Sequence, residues 1–276
     1  MDERWILFVT IMSGIAIQTK AETPVIPPNI IGGIDAPEDA WPWQVALLYK
    51  NNFRCGGTIL NEDTILTAAH CRIFRSFAKN YQVRIGEYDR EKNEKKTRGE
   101  RNVQVRRFLK HPDYDWFTLE NDLAIIKLKT CIKFNKYIQP IPVLADDSMN
   151  FIGKTCYTTG WGYIEPDSKS LARKLQQLET PVITNVECQQ GVEFTNVTDD
   201  MICTNVIPKG ACNGDSGGPL QCLINKKWTL VGVASFKSQA ICGAGPTGYA
   251  RISGPNREWI AGKIKTRKRR KYINKS

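Results

Sequence analysis

Residues 209–220 read KGACNGDSGGPL, which sets Ser216 among Gly214, Gly217 and Gly218. Small neighbours let backbone N–H groups approach a substrate, so this serine is a candidate nucleophile. A serine hydroxyl attacks only when an imidazole takes its proton and a carboxylate holds that imidazole's tautomer. The chain has two histidines, His70 in LTAAHC and His111 in KHPDY, and both precede Ser216. That order excludes the α/β-hydrolase arrangement, in which the serine comes first. His70 follows a strand-like run and adjoins Cys71, where a disulfide can fix it; His111, before proline in a polar turn, is expected to be solvated. His70 is therefore the base. Asp122 opens the apolar run in NDLAIIKL and completes the order His, Asp, Ser, one of the known triad orders.

Elements must hold these groups in place, and the sequence is rich in strand signals. Short β-branched and aromatic runs (WQVALLY, GTILN, TILTAAH, YQVRIGEY, LAIIKL, TLVGVASF, TGYARI) alternate with Gly, Pro, Asn and Asp clusters, the pattern of an all-β sandwich or barrel. Helix is expected only from Asn185 toward Gln190 and in NREWIAGKIKTR, where Trp259, Ile260 and Ile264 face inward. The segment REKNEKKTRGER (90–101) reads as a surface loop whose charges are solvated, with calcium on its glutamates the lesser reading.

At 276 residues and 41% hydrophobic, the chain can bury a proper core. An apolar stretch from Trp5 to Ile17 is too short to cross a membrane and suits a secretory signal over 1–21, despite the acidic Asp2 and Glu3. The proline-rich 22–29 follows as a spacer. Nine cysteines without C-x-x-C pairs, beside two histidines, indicate a secreted, disulfide-bonded domain and no metal site. Net charge is +11; of 39 Lys and Arg, eight lie in GKIKTRKRRKYINKS, leaving 31 against 28 acidic residues. The tail, 266–276, is either a solvated end or a patch for polyanions such as sulfated glycans, and nucleic acid is not an expected partner outside the cell. Asn196-Val-Thr198 is a glycosylation sequon.

The stretches IIGG (30–33), WPWQV (41–45), LTAAHC (66–71), NDLAIIKL (121–128), GWG (160–162) and GDSGGP (214–219) together resemble the chymotrypsin-like, trypsin-fold serine endopeptidases. The resemblance spans 30–265. It implies two six-stranded antiparallel β-barrels with the active site between them and a C-terminal helix. It also implies Ser216 as nucleophile, His70 as general base, Asp122 as its orienter, Ser235 beside that carboxylate, and an oxyanion hole from the N–H groups of Gly214 and Ser216. The implied bridges are Cys55–Cys71, Cys156–Cys222, Cys188–Cys203 and Cys212–Cys242; Cys131 is left over, expected as a buried free thiol rather than a link to another chain.

Family activation implies a cut before Ile30, whose freed amine pairs with Asp215. Asn29 stands where Arg or Lys is usual, which points to an asparagine-directed protease or stepwise removal of the spacer. The primary pocket departs too: Gly210, followed by Ala211, occupies the floor position where trypsin-like members carry aspartate. A basic side chain would be buried there unpaired, so trypsin-like cleavage is not expected. Ser235-Phe236-Lys237 and Thr247 narrow the walls, which resembles the elastase-type preference for small aliphatic residues. An inward Lys237 would instead favour acids, although long lysines usually reach for solvent. Protein substrates, protein inhibitors and a monomer are expected, with no cofactor. The reading from another class is a catalytically silent homologue that binds partners through its tail.

Overall fold

The structure, a computed structural model, describes residues 31–145, 149–165, 170–238 and 241–264. The expected signal (1–21) and spacer (22–29), with Asn29, lie outside the described residues, as do Ile30 and the tail 266–276.

Six strands close the first barrel: β2 (Gln44–Tyr49), β3 (Asn52–Asn61), β4 (Thr64–Thr67), β5 (Tyr81–Ile85), β6 (Arg101–Lys110) and β7 (Ala124–Leu128), in spatial order β2-β3-β4-β7-β6-β5. The second is built from β8 (Thr155–Gly160), β9 (Gln176–Ile183), β10 (Met201–Thr204), β11 (Pro219–Ile224), β12 (Lys227–Lys237) and β13 (Thr247–Arg251). Its order is β9-β10-β13-β12-β11-β8, closed by the β9–β8 pairing, with β1 (Ile34–Asp35) added against β9. All pairings between these strands are antiparallel. Closure removes the free edges that an open sheet would expose.

Local sequence explains the elements. In β5 the side chains of Tyr81, Val83 and Ile85 are buried while Gln82 and Arg84 face outward, the period of two of a half-buried strand. The β2–β3 hairpin turns on Lys50 and Asn51 (φ 49 and 68°) and the β11–β12 hairpin on Asn225 and Lys226 (φ 48 and 63°). Two successive left-handed residues match the right-handed twist of the flanking strands. Helix α1 (Asn185–Gln190) starts in a capping box, Thr184 Oγ1 accepting from Glu187 N–H and Glu187 Oε2 accepting from Thr184 N–H. Helix α2 (Gly254–Ile264) buries Ile260 and half-buries Trp259 and Ile264.

The barrels share one core, and the residues around WPWQ stitch it. Trp41 Nε1 donates to Gln177 Oε1 at 2.7 Å and Trp43 Nε1 to Gln221 Oε1 at 3.0 Å, while Thr159 Oγ1 donates to Gln44 Oε1 at 2.7 Å. These bonds cross from the first barrel to the second, and each satisfies polar atoms that burial would otherwise penalise. From the end of the second barrel, α2 reaches back: Asn61 Nδ2 donates to Ile264 O at 2.8 Å, and Trp259 packs edge-on to His111 at 4.7 Å.

Three expectations are corrected. His111 is buried beneath Trp259, its backbone N–H donating to Leu123 O and its ring Nδ1 accepting from Asp113 N–H. Cys131 is exposed, because among residues 129–136 after β7 Ile132 is the one buried side chain. The 90–101 segment is a loop but not wholly solvated: Glu94 and Arg98 are buried. Glu94 Oε2 accepts from the N–H groups of Tyr88 and Asp89, and the Arg98 guanidinium lies over the Tyr137 ring at 4.3 Å. Arg84 bonds Glu87 Oε2 at 3.0 Å and lies 3.7 Å from Glu100. Glu87 Oε1 is buried without a hydrogen-bond partner.

Candidate active site

The segment after β4 ends in a 3-10 turn, Ala69–Cys71, and the Cys55–Cys71 bridge ties that turn to β3. His70 is thereby presented at the edge of the first barrel. Its backbone N–H donates to Asp122 Oδ1 at 2.9 Å and its Nδ1 lies 2.6 Å from Asp122 Oδ2. A carboxylate can only accept, so Nδ1 carries the hydrogen and the Nε2 lone pair points away from Asp122. The Asp122 side chain is wholly buried, and Ser235 Oγ donates to its Oδ2 at 2.6 Å. Three donors thus compensate a carboxylate that burial would otherwise penalise.

Ser216 lies in the loop between the Cys212–Cys242 bridge and β11. Both barrels grip its backbone: Gly56 N–H of β3 donates to Ser216 O at 2.8 Å, and Gly217 N–H donates to Ala234 O of β12 at 2.7 Å. Glycine is required at Gly217, where φ is +78° and a Cβ would stand 2.2 Å from Thr67 Oγ1. The N–H groups of Gly214 and Ser216 have no acceptor among the described residues, so both remain available to a substrate oxygen. No hydrogen bond joins Ser216 Oγ to His70 Nε2, and Cys71 Sγ lies 3.8 Å from Nε2. Nucleophile–base bonds are commonly loose without substrate and tighten when it binds.

Asp215 points the other way, into the second barrel. Its carboxylate accepts from Gly162 N–H at 2.8 Å and Cys212 N–H at 2.9 Å, and burial pushes its pKa up to about 6. A Cβ at Gly160 or Gly162 would stand 2.2 or 2.4 Å from its oxygens, which accounts for both glycines of GWG. Beside it, Ile31 packs against Cys212 and Cys242, and its carbonyl accepts from Gly210 N–H at 3.1 Å.

Next to Ser216 is a cavity of about 150 Å³ lined by Ala211, Cys212, Asn213, Ala234, Ser235, Phe236, Lys237 and Thr247. No acid lines it. Lys237 and Thr247 are cross-strand partners, which aligns the lysine with the wall. Burial holds the Lys237 ammonium below the ordinary lysine pKa. The Phe236 ring covers Gly248 and meets Phe194 edge-on at 5.5 Å. Gly210 stands behind the lining, where a Cβ would be 3.3 Å from Thr247 Oγ1.

The structure therefore brings His70, Asp122 and Ser235 into one bonded group and puts Ser216 in the wall of the cavity, and the four bridges are those the resemblance implies. Asn196 is exposed. Gly56 was not singled out, although a glycine pair inside a strand signals close backbone approach: a Cβ there would stand 3.0 Å from Gly218 Cα. The Trp116–Phe117 pair, at 4.3 Å, was passed over inside a polar turn. The Trypsin family profile matches residues 30–260, most of the chain, and with two closed barrels flanking this site the chain belongs to the trypsin family of serine peptidases.

Proposed function

We propose that this chain is a secreted serine endopeptidase that cuts peptide bonds through an acyl-enzyme on Ser216. The observation that carries the reading is the buried Asp122 carboxylate bonded to both the backbone and Nδ1 of His70, beside a loop with two uncommitted N–H donors. Ser216 Oγ gives its proton to His70 Nε2 as it attacks the carbonyl carbon. The new oxyanion is held by the N–H groups of Gly214 and Ser216, each worth roughly 3–4 kcal/mol in comparable sites. The imidazolium, stabilised by Asp122, then protonates the departing amine. Water reverses the sequence and frees the acid. No cofactor enters these steps.

The cavity favours a small, uncharged side chain before the cut bond. It lacks an anion to pair with Arg or Lys, and Thr247 and Lys237 narrow it. The chain is read as a zymogen activated before Ile30: Ile31 packs against Cys212, whose N–H donates to the Asp215 carboxylate, and an ammonium on Ile30 would compensate that buried charge. Four disulfides and the apolar Trp5–Ile17 segment support secretion, and exposed Asn196 supports glycosylation. Protein substrates and inhibitors follow from the reading, with the basic tail left for polyanions.

The test is cleavage profiling on a diverse peptide library of the protein cut before Ile30, with Ser216→Ala as control. Cleavage after Ala, Val, Leu or Ile supports the narrow pocket; cleavage after Asp or Glu assigns Lys237 to substrate. Equal silence of both proteins would favour a binding protein that keeps the fold without its chemistry.

A further inference from the structure

Directly after the His70 turn, residues 72–80 form a loop with an unusual balance of order and exposure. Ile73 N–H donates to Tyr81 Oη at 2.7 Å, and Ser76 Oγ donates to Ile73 O at 2.6 Å. With the serine's single hydrogen so engaged, Tyr81 O–H donates to Ser76 Oγ at 2.9 Å and closes the ring. Arg72 adds bonds to Phe108 O and Ser76 O, and Tyr81 is fully buried. A loop tied in this way has little freedom left to lose on binding. Yet Phe74 and Phe77 are 83% and 67% exposed, large apolar rings held in water by a rigid frame. Arg75 lies over the Phe74 ring at 5.1 Å and Lys79 over the Phe77 ring at 5.8 Å.

The stretches that build this surface are basic. Residues 64–86 and 101–111 together contain eight Lys and Arg and no Asp or Glu. The loop packs on β6, Gln104 Nε2 donating to Lys79 O, so the two stretches share one surface. Arg84 is engaged by Glu87 and Glu100, but among the described residues Arg75, Lys79 and Arg107 enter no ion pair and all three are exposed.

We propose that the 72–80 loop and the adjoining β6 face form a docking surface for an acidic polypeptide segment that carries aromatic or apolar side chains among its carboxylates. Uncompensated cations call for an anionic partner. The two fixed phenylalanines distinguish this partner from a sulfated glycan, which has no apolar side chains to set against them, and aromatic anchors ringed by polar groups are the usual centres of protein interfaces.

The probe is fluorescein-labelled random poly(Glu,Tyr), with poly-Glu and heparin alongside, titrated by anisotropy into the full chain carrying Ser216→Ala. Binding should weaken at least tenfold in Arg75→Glu/Lys79→Glu, and at least threefold in Phe74→Ser/Phe77→Ser for poly(Glu,Tyr) but not for poly-Glu. The basic tail is common to all variants, so these differences belong to the loop. All four side chains are exposed, and circular dichroism melts check that the variants stay folded. The proposal is overturned if the charge-reversed variant binds poly(Glu,Tyr) like its parent, or if heparin alone binds through the loop.

Discussion

The bonded group around Asp122 makes sharp demands of single residues. Asp122→Asn would present an amide to Nδ1 and favour the wrong tautomer, so kcat should fall roughly 10⁴-fold with the fold retained; steady-state kinetics on the cut chain, with a thermal melt, checks both. Asp215 gives a stability prediction with a definite sign. Its carboxyl titrates at an ordinary 3.8 when unfolded and at about 6 in the fold, so the folded chain holds the proton more tightly. The group therefore stabilises the fold below pH 3.8, and that contribution, about 3 kcal/mol, is lost as pH rises through 6. Urea unfolding of the uncut chain should show this loss, Asp215→Asn should abolish it, and a cut chain with an ammonium on Ile30 should reverse it. At this scale the approach of His70 to Asp122 was legible because chemistry fixes their types and order. His111 was misread because proline and acidic neighbours hide the Trp259 ring that covers it, 148 positions away in the chain.

Elements decide whether those residues meet. The 3-10 turn holding His70 has no side-chain cap of its own, and the Cys55–Cys71 bridge is its covalent tie to β3. Replacing both cysteines by alanine should cost about 2–5 kcal/mol of stability. Activity should fall further than the melting temperature alone accounts for, because the imidazole loses its mount; residual kcat/KM measured well below the melting point separates the two. Strands rich in β-branched residues, such as β5 and β7, were legible, whereas β9 (QQLETPVI) and β10 (MICT) were not singled out. Their polar or short runs become strands because partners on both sides complete the ladder, a tertiary effect on weak local preference. The 90–101 loop shows the same limit in reverse: its charges suggested solvation, but Glu94 and Arg98 fold inward onto backbone N–H groups and aromatic rings.

At the scale of the whole molecule, the proposed catalysis requires two barrels to keep register across the cleft, since His70 and Asp122 come from one and Ser216 and Ser235 from the other. Helix α2 helps hold that register through Trp259 on His111 and Ile264 on Asn61. Trp259→Ala should cost about 2 kcal/mol for this half-buried ring and lower the melting temperature by roughly 4–8 °C, read by calorimetry. The paired barrels themselves were foreseen through the six motifs rather than through strand patterns, which alone fit a sandwich equally well. The central claim is that Ser216 is a nucleophile activated by His70. It is tested most directly by incubating the chain cut before Ile30 with a small aliphatic diphenyl phosphonate and measuring its intact mass. A single phosphonyl adduct that maps to Ser216 and is lost in both Ser216→Ala and His70→Ala is the predicted result; an unmodified chain, or an adduct that forms equally well without His70, would contradict it.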